Sequence, residues 1–142
     1  MKIGILSDIH ANLHALRAVL SHLEGQSPDH VVVAGDVVNR GPFSEECVVE
    51  ILERRDRLGW KILKGNHEDF VLEKRGAHYQ SPPWEEEVCR HSAWTCSRLN
   101  GYLDDIAAWP DHADLEPVRG TLIRVVHASR IDNRTGIYSR LS

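Results

Sequence analysis

The sequence predicts an α/β fold built on a largely parallel sheet with flanking helices, and two observations carry that prediction. Short apolar runs of strand length alternate with stripes of helical period, and each run ends in a polar loop. With 142 residues, 42% of them hydrophobic, the chain is long enough to bury one core, so residues 1–142 are expected to form a single domain.

The first run, Ile3-Gly4-Ile5-Leu6-Ser7, is continuous rather than alternating, as a strand covered on both faces requires, and it ends at Asp8-Ile9-His10. From Asn12 the period lengthens: Leu13, Leu16, Leu20 and Leu23 make one helical stripe, closed by Gly25 and Pro28. Val31-Val32-Val33-Ala34 repeats the pattern and runs into Gly35-Asp36. A helix from about Ser44 follows, with Val48, Ile51, Leu52 and Leu58 as its stripe, Ser44 as its expected N-cap, and Glu45 and Glu46 suited to the positive end of its dipole.

A third run, Trp60-Lys61-Ile62-Leu63, ends in Gly65-Asn66-His67-Glu68. Right-handed crossovers between parallel strands place these three loops at one carboxyl edge of the sheet, where sites of open α/β sheets form. Residues 76–112 interrupt the rhythm and read as a helical insertion, with Val88 and Leu99 on its helical stretch and Leu103 and Ile106 on a shorter one. Beyond Pro117 and Gly120, Leu122–Val126 reads as a further strand ending at His127.

The net charge of −4 gives no global attraction to nucleic acid or an anionic membrane, so no specific nucleic-acid binding is expected. No apolar stretch approaches the roughly 20 residues of a membrane helix. Cys47, Cys89 and Cys96 lack the CxxC spacing of a zinc knuckle, and their odd number suits reduced thiols in the cytoplasm.

The strand ends together present Asp8 and His10, Asp36, Asn66 and His67, and His127. Carboxylate, imidazole and carboxamide oxygen without thiolate suit a hard or borderline divalent cation such as Mn²⁺, Fe²⁺ or Zn²⁺. A shared carboxylate, for which Asp36 is the candidate, can bridge two cations about 3.5–4 Å apart.

Asp8-Ile9-His10, Gly35-Asp36 and Gly65-Asn66-His67-Glu68, in this order at strand ends, resemble the first three signature blocks of the calcineurin-like metallophosphoesterases. Gly35-Asp36-Val37-Val38-Asn39-Arg40-Gly41 is similar to the GDxVDRG block of phosphoprotein phosphatases, and Leu63-Lys64-Gly65-Asn66-His67-Glu68 to their LRGNHE block. Symmetrical diadenosine tetraphosphatases and small bacterial phosphodiesterases carry such blocks too. The resemblance implies a layered sandwich and metal-dependent hydrolysis of a small phosphomonoester, phosphodiester or nucleotide, with phosphoprotein as the alternative substrate.

It also implies roles. Asp8 and His10 would bind one metal, Asn66 and His127 the other, with Asp36 between them; manganese is the first choice, and iron(II), zinc or nickel the alternatives. Arg40 would clamp the phosphate, and His67 would protonate the leaving oxygen or stabilise the transition state. Asn39 stands where the phosphatase block has Asp, removing a negative group that could orient His67 and favouring a small molecule over a protein substrate.

The family's closing Gly-His-x-His block does not occur after His127. The chain is therefore expected to lack its C-terminal portion, with a non-catalytic metal-binding or regulatory fragment as the rival reading. Such a half-sheet is also expected to leave an apolar face that a homo-oligomer would cover. His14, His22, His30, His78, His91 and His112 read as surface or structural histidines, Trp84, Trp94 and Trp109 as a packing stripe, and Glu85-Glu86-Glu87 as a solvated helix start.

Overall fold

The structure, a computed structural model, describes residues 1–76 and 86–137. Strand β1 (Ile3–Leu6), helix α1 (Leu13–Gly25), β2 (His30–Ala34), α2 (Ser44–Leu58) and β3 (Lys61–Leu63) form the expected alternation. The three strands pair in parallel in the order β1-β2-β3, with Gly4 opposite Val31 and Val33 opposite Ile62. Helices α3 (Asn66–Leu72), α4 (Glu86–Arg98) and α5 (Leu103–Ala107) follow, then β4 (His112–Val118) and β5 (Thr121–Val126).

Side-chain alternation along β2 explains the layering. Val31 and Val33, with Leu6 and Ile62, face the helices and join Leu16, Leu20, Val48, Ile51 and Leu99 in the main core. Val32 and Ala34, with Leu63, face the other way and are covered by Ala113, Leu115 and Val125. A continuous valine run is thus explained by cover on both faces.

The expected strand at Leu122–Val126 is present, but it pairs antiparallel with β4 and forms a separate two-stranded sheet. Sequence reasoning missed β4. Its inward residues Ala113 and Leu115 alternate with His112, Asp114 and Glu116, a period-2 pattern weakened by poor strand formers and by Pro117.

Two other expectations change. Ser44 does not cap α2: Phe43 holds the N-cap position, and the buried Ser44 hydroxyl accepts from the backbone N–H of Asn39 at 3.1 Å. Trp109 is buried as expected, whereas Trp94 is exposed and Leu58 leaves its stripe for solvent. His78, Ser81–Pro83, Trp84, Glu85 and Tyr138 lie outside the described residues, as does the side chain of Val88.

Ile5, on the hairpin side of edge strand β1, is exposed, as are Val118 and Leu122 on the hairpin. Among the described residues no helix is long and apolar enough to cross a membrane, and Cys47, Cys89 and Cys96 are free thiols.

Candidate metal centre

The loops after β1 and β2 continue to pair beyond the sheet: the N–H of His10 donates to the Asp36 carbonyl and that of Ala11 to Val37, both at 2.9 Å. Gly35 and Gly65 bring the β2 and β3 loops into backbone contact. A Cβ on Gly35, which has φ +85°, would run into the backbone of Gly65, and one on Gly65 would strike Asp36.

Asp8, His10, Asp36, Asn39 and Arg40 all hold positive φ, between 47° and 72°, although none is glycine. Such backbone costs about 1–3 kcal/mol per residue and persists where the surroundings impose it. At Asp36 the imposing group is Glu68. Fully buried, its carboxylate accepts from the N–H groups of Gly65 (2.7 Å), Asp36 (2.8 Å), Val37 (2.8 Å) and Val38 (3.2 Å). Burial pushes the Glu68 carboxyl pKa up, and these backbone donors oppose the rise.

The side chains brought together are those the sequence singled out. Asp36 Oδ2 lies 3.7 Å from His10 Nε2 and 3.4 Å from His127 Nε2, and His10 Nε2 lies 3.6 Å from Asp8 Oδ1. The other Asp36 oxygen accepts from the His67 backbone N–H at 2.9 Å. His127 Nδ1 donates to the Ala34 carbonyl at 2.7 Å, which leaves the Nε2 lone pair facing Asp36 and, at 3.1 Å, Asn66 Oδ1.

This donor set fits divalent cations. Nε2 of His127 and Oδ1 of Asn66 are both acceptors and gain nothing from each other unless a cation lies between them. Ligands bonded to one tetrahedral ion at about 2.1 Å stand about 3.4 Å apart, close to the separations around Asp36. Two overlapping groups meet the spatial requirement for a metal, Asp8–Asp36–His127 and His10–Asp36–His67, and Asp36 belongs to both. The second includes His67, which the sequence had placed outside the ligand set.

The His67 ring is buried, edge-on to His10 at 4.7 Å between centroids. Burial first of all, with the neighbouring His10, Arg40 and His127, holds its pKa down to about 4 against the opposing pull of Asp36. Arg40 is exposed on the rim, its Nε 3.1 Å from His67 Nε2. An open hollow lined by Asp8, His10, Arg40 and Phe43 lies on one side of the cluster, and another lined by His127, Arg130 and Asn133 on the other.

Three buried polar residues beside the site drew no role from the sequence: Glu68, Ser92 and Thr95. Glu68 was visible as part of the Gly-Asn-His-Glu block, and its reach back to the Gly65 N–H follows from its place in the first turn of α3. Ser92 and Thr95 share an α4 face at i, i+3 spacing, a pattern equally suited to a solvated surface.

A parallel sheet with carboxylate, imidazole and carboxamide groups clustered at its carboxyl edge has the arrangement of a candidate divalent-metal site. Comparison with known proteins gives the family. The family model for calcineurin-like phosphoesterases matches residues 1–137, and the chain belongs to that family.

Among curated relatives, the symmetrical bis(5'-nucleosyl)-tetraphosphatase of Buchnera aphidicola is 28% identical over 116 residues, 81% of this chain and 36% of that protein. A metallophosphoesterase structure from Sphaerobacter thermophilus is 32% identical with a TM-score of 0.59, covering 80% of this chain and 42% of that one. A hypothetical protein from Pyrococcus horikoshii shares the fold at a TM-score of 0.77 and 15% identity, covering 94% and 57%. The chain spans about a third of the length of the curated relatives it matches.

Proposed function

We propose that this chain carries the site of a metal-dependent hydrolase of small phosphate esters or nucleotides, working in the cytoplasm. The observation that carries the reading is the position of Asp36 Oδ2, within 3.7 Å of two imidazole nitrogens that approach from opposite loops. Asp8, His10 and Asp36 would hold one cation and Asp36, Asn66 and His127 a second, with manganese first among the candidates. Bound there, the cations would supply Lewis-acid polarisation of the phosphoryl group and lower the pKa of water.

The protein's own groups supply the rest. The Glu68 carboxylate fixes the Asp36 and Gly65 backbones, so the bridging carboxylate is held in place before substrate arrives. Arg40, whose long side chain lies at the rim, would leave His67 and take two phosphate oxygens with its planar fork. His67 then faces the leaving oxygen through Nε2. The Buchnera relative's name gives a dinucleoside tetraphosphate as its substrate. A nucleotide of that kind is one substrate in the proposed class.

The test is hydrolysis of p-nitrophenyl phosphate and bis-p-nitrophenyl phosphate with added Mn²⁺. Turnover that falls by at least about 10²-fold in Asp36→Asn supports the reading, since removing a single stabilising group commonly costs that much. Unchanged turnover in that variant overturns the assignment of the chemistry to Asp36, and no turnover in the unaltered chain counts for a metal-binding fragment instead.

A further inference from the structure

Asn39 and Arg40 hold consecutive left-handed backbones, with φ +72° and +66°. Asparagine tolerates that region because its short polar side chain can bond the nearby backbone, whereas arginine has no such device and needs a hold from outside. Asn39 supplies the hold: its Oδ1 accepts from the Arg40 backbone N–H at 3.1 Å. The next N–H, of Gly41, donates to the Asn39 carbonyl at 2.9 Å, and a Cβ on Gly41 would strike the carbonyl oxygens of His10 and Ala11. The turn is thus wedged against the loop after β1, and the Asn39 side chain ties it to α4.

That tie is made in a dry place. Asn39 is 1% exposed, and Ser92 and Thr95 are 1% and 0% exposed. Asn39 Nδ2 donates to Ser92 Oγ at 2.9 Å, and the Thr95 hydroxyl donates to Asn39 Oδ1 at 3.4 Å. The i, i+3 spacing of Ser92 and Thr95 puts both hydroxyls on the face of α4 that meets the turn. Buried polar groups need partners, so the carboxamide orientation that holds the Arg40 N–H is the one the two hydroxyls select.

The Arg40 side chain, by contrast, is exposed at the rim of the hollow lined by Asp8, His10 and Phe43. Such a long side chain loses rotamer freedom when it takes an anion, and less of it when its backbone already points it there. Relaxation of Arg40 to the right-handed region would turn its Cα–Cβ bond to a new direction.

We propose that Ser92 and Thr95 are positioning residues for Arg40. Acting through Asn39, they hold the Arg40 backbone in the left-handed state that keeps its guanidinium at the candidate metal site, so that α4 sets the affinity for phosphate without touching phosphate or metal. This rests on the phosphoesterase reading, in which Arg40 is the phosphate clamp.

The test is calorimetric titration of inorganic phosphate into the Mn²⁺-loaded chain. Ser92→Ala should raise the phosphate Kd about 3–10-fold, as expected for one hydrogen bond, and leave the Mn²⁺ Kd within about twofold. Thr95→Val removes the hydroxyl and keeps the shape; it should act in the same direction, and it carries the test if Ser92→Ala does not fold. Thr95→Ser keeps the hydroxyl and should bind phosphate as the unaltered chain does.

A general loosening of the site would weaken phosphate binding with or without Arg40. A double-mutant cycle separates the two: in an Arg40→Ala background, Ser92→Ala should no longer change the phosphate Kd. Unchanged phosphate affinity in both α4 variants, or a loss of full size in the Arg40→Ala background, overturns the proposal. If Arg40→Ala alone leaves the affinity unchanged, or the Mn²⁺-loaded chain binds no phosphate, Arg40 is no clamp and the proposal falls with it. A chain that shows the expected cycle but turns over no ester keeps these positioning residues and loses only the hydrolytic reading.

Discussion

Glu68 shows how one side chain can organise a site without being one of its proposed ligands. Four backbone N–H groups from two loops converge on one carboxylate in a fully buried pocket. Truncation would strand them all, at about 1–3 kcal/mol for each buried donor that finds no new partner. Glu68→Ala should therefore lower unfolding free energy by about 3 kcal/mol or more in a denaturant titration, and a loss under about 1 kcal/mol would contradict the clamp. The thiols give a second prediction at this scale. Burial first, then Glu46 and Glu50, push the Cys47 thiol up to about 12, and burial raises Cys96 too. The thiolate is the reactive form, so a thiol reagent at pH 8 should label the partly exposed Cys89 well before the other two. Equal labelling of all three in the native protein would contradict the core packing.

Helices and strands were legible where period and cover agreed. The α1 stripe of Leu13, Leu16 and Leu20 is buried as its spacing requires, and the three strand-end loops converge because parallel strands leave no other geometry. The hairpin partner β4 was hidden by its composition, and the inward polar face of α4 by the lack of any sequence sign that Asn39 lay opposite. The ligand-type residues of the site were readable because their positions at strand ends decide their neighbours. The contact of Asn39 with Ser92 and Thr95 was not, since it depends on a helix packed from a distant part of the chain. Glycine placement offers a test at this scale. Gly35 and Gly59 both have positive φ, but a Cβ on Gly59 meets open space and one on Gly35 meets the Gly65 backbone. Gly59→Ala should cost only its backbone strain, about 1 kcal/mol. Gly35→Ala should cost more than that and weaken Mn²⁺ binding, read by thermal melts with and without the ion; equal costs would refute the contact.

At the scale of the molecule, both faces of the parallel sheet are covered by packing that does not involve the metal cluster: helices on one side, the β4–β5 hairpin on the other. The cluster sits at the edge between them and brings Asp8, Asp36 and three histidines within reach of one another, in two groups that could hold a cation. A fold whose core is independent of the metal should be folded without it and more stable with it, because only the native arrangement joins loops from β1, β2, β3 and β5. Linkage gives the size: Mn²⁺ at a hundred times its Kd adds about 2.7 kcal/mol for a single site. Calorimetry should show one cooperative transition in EDTA that rises with Mn²⁺ concentration, and Asp36→Asn should lose most of that rise while keeping the EDTA transition. If the chain were unfolded in EDTA, the packing around the sheet would not be the source of its stability. If Asp36→Asn kept the full Mn²⁺ response, the cations would be bound elsewhere.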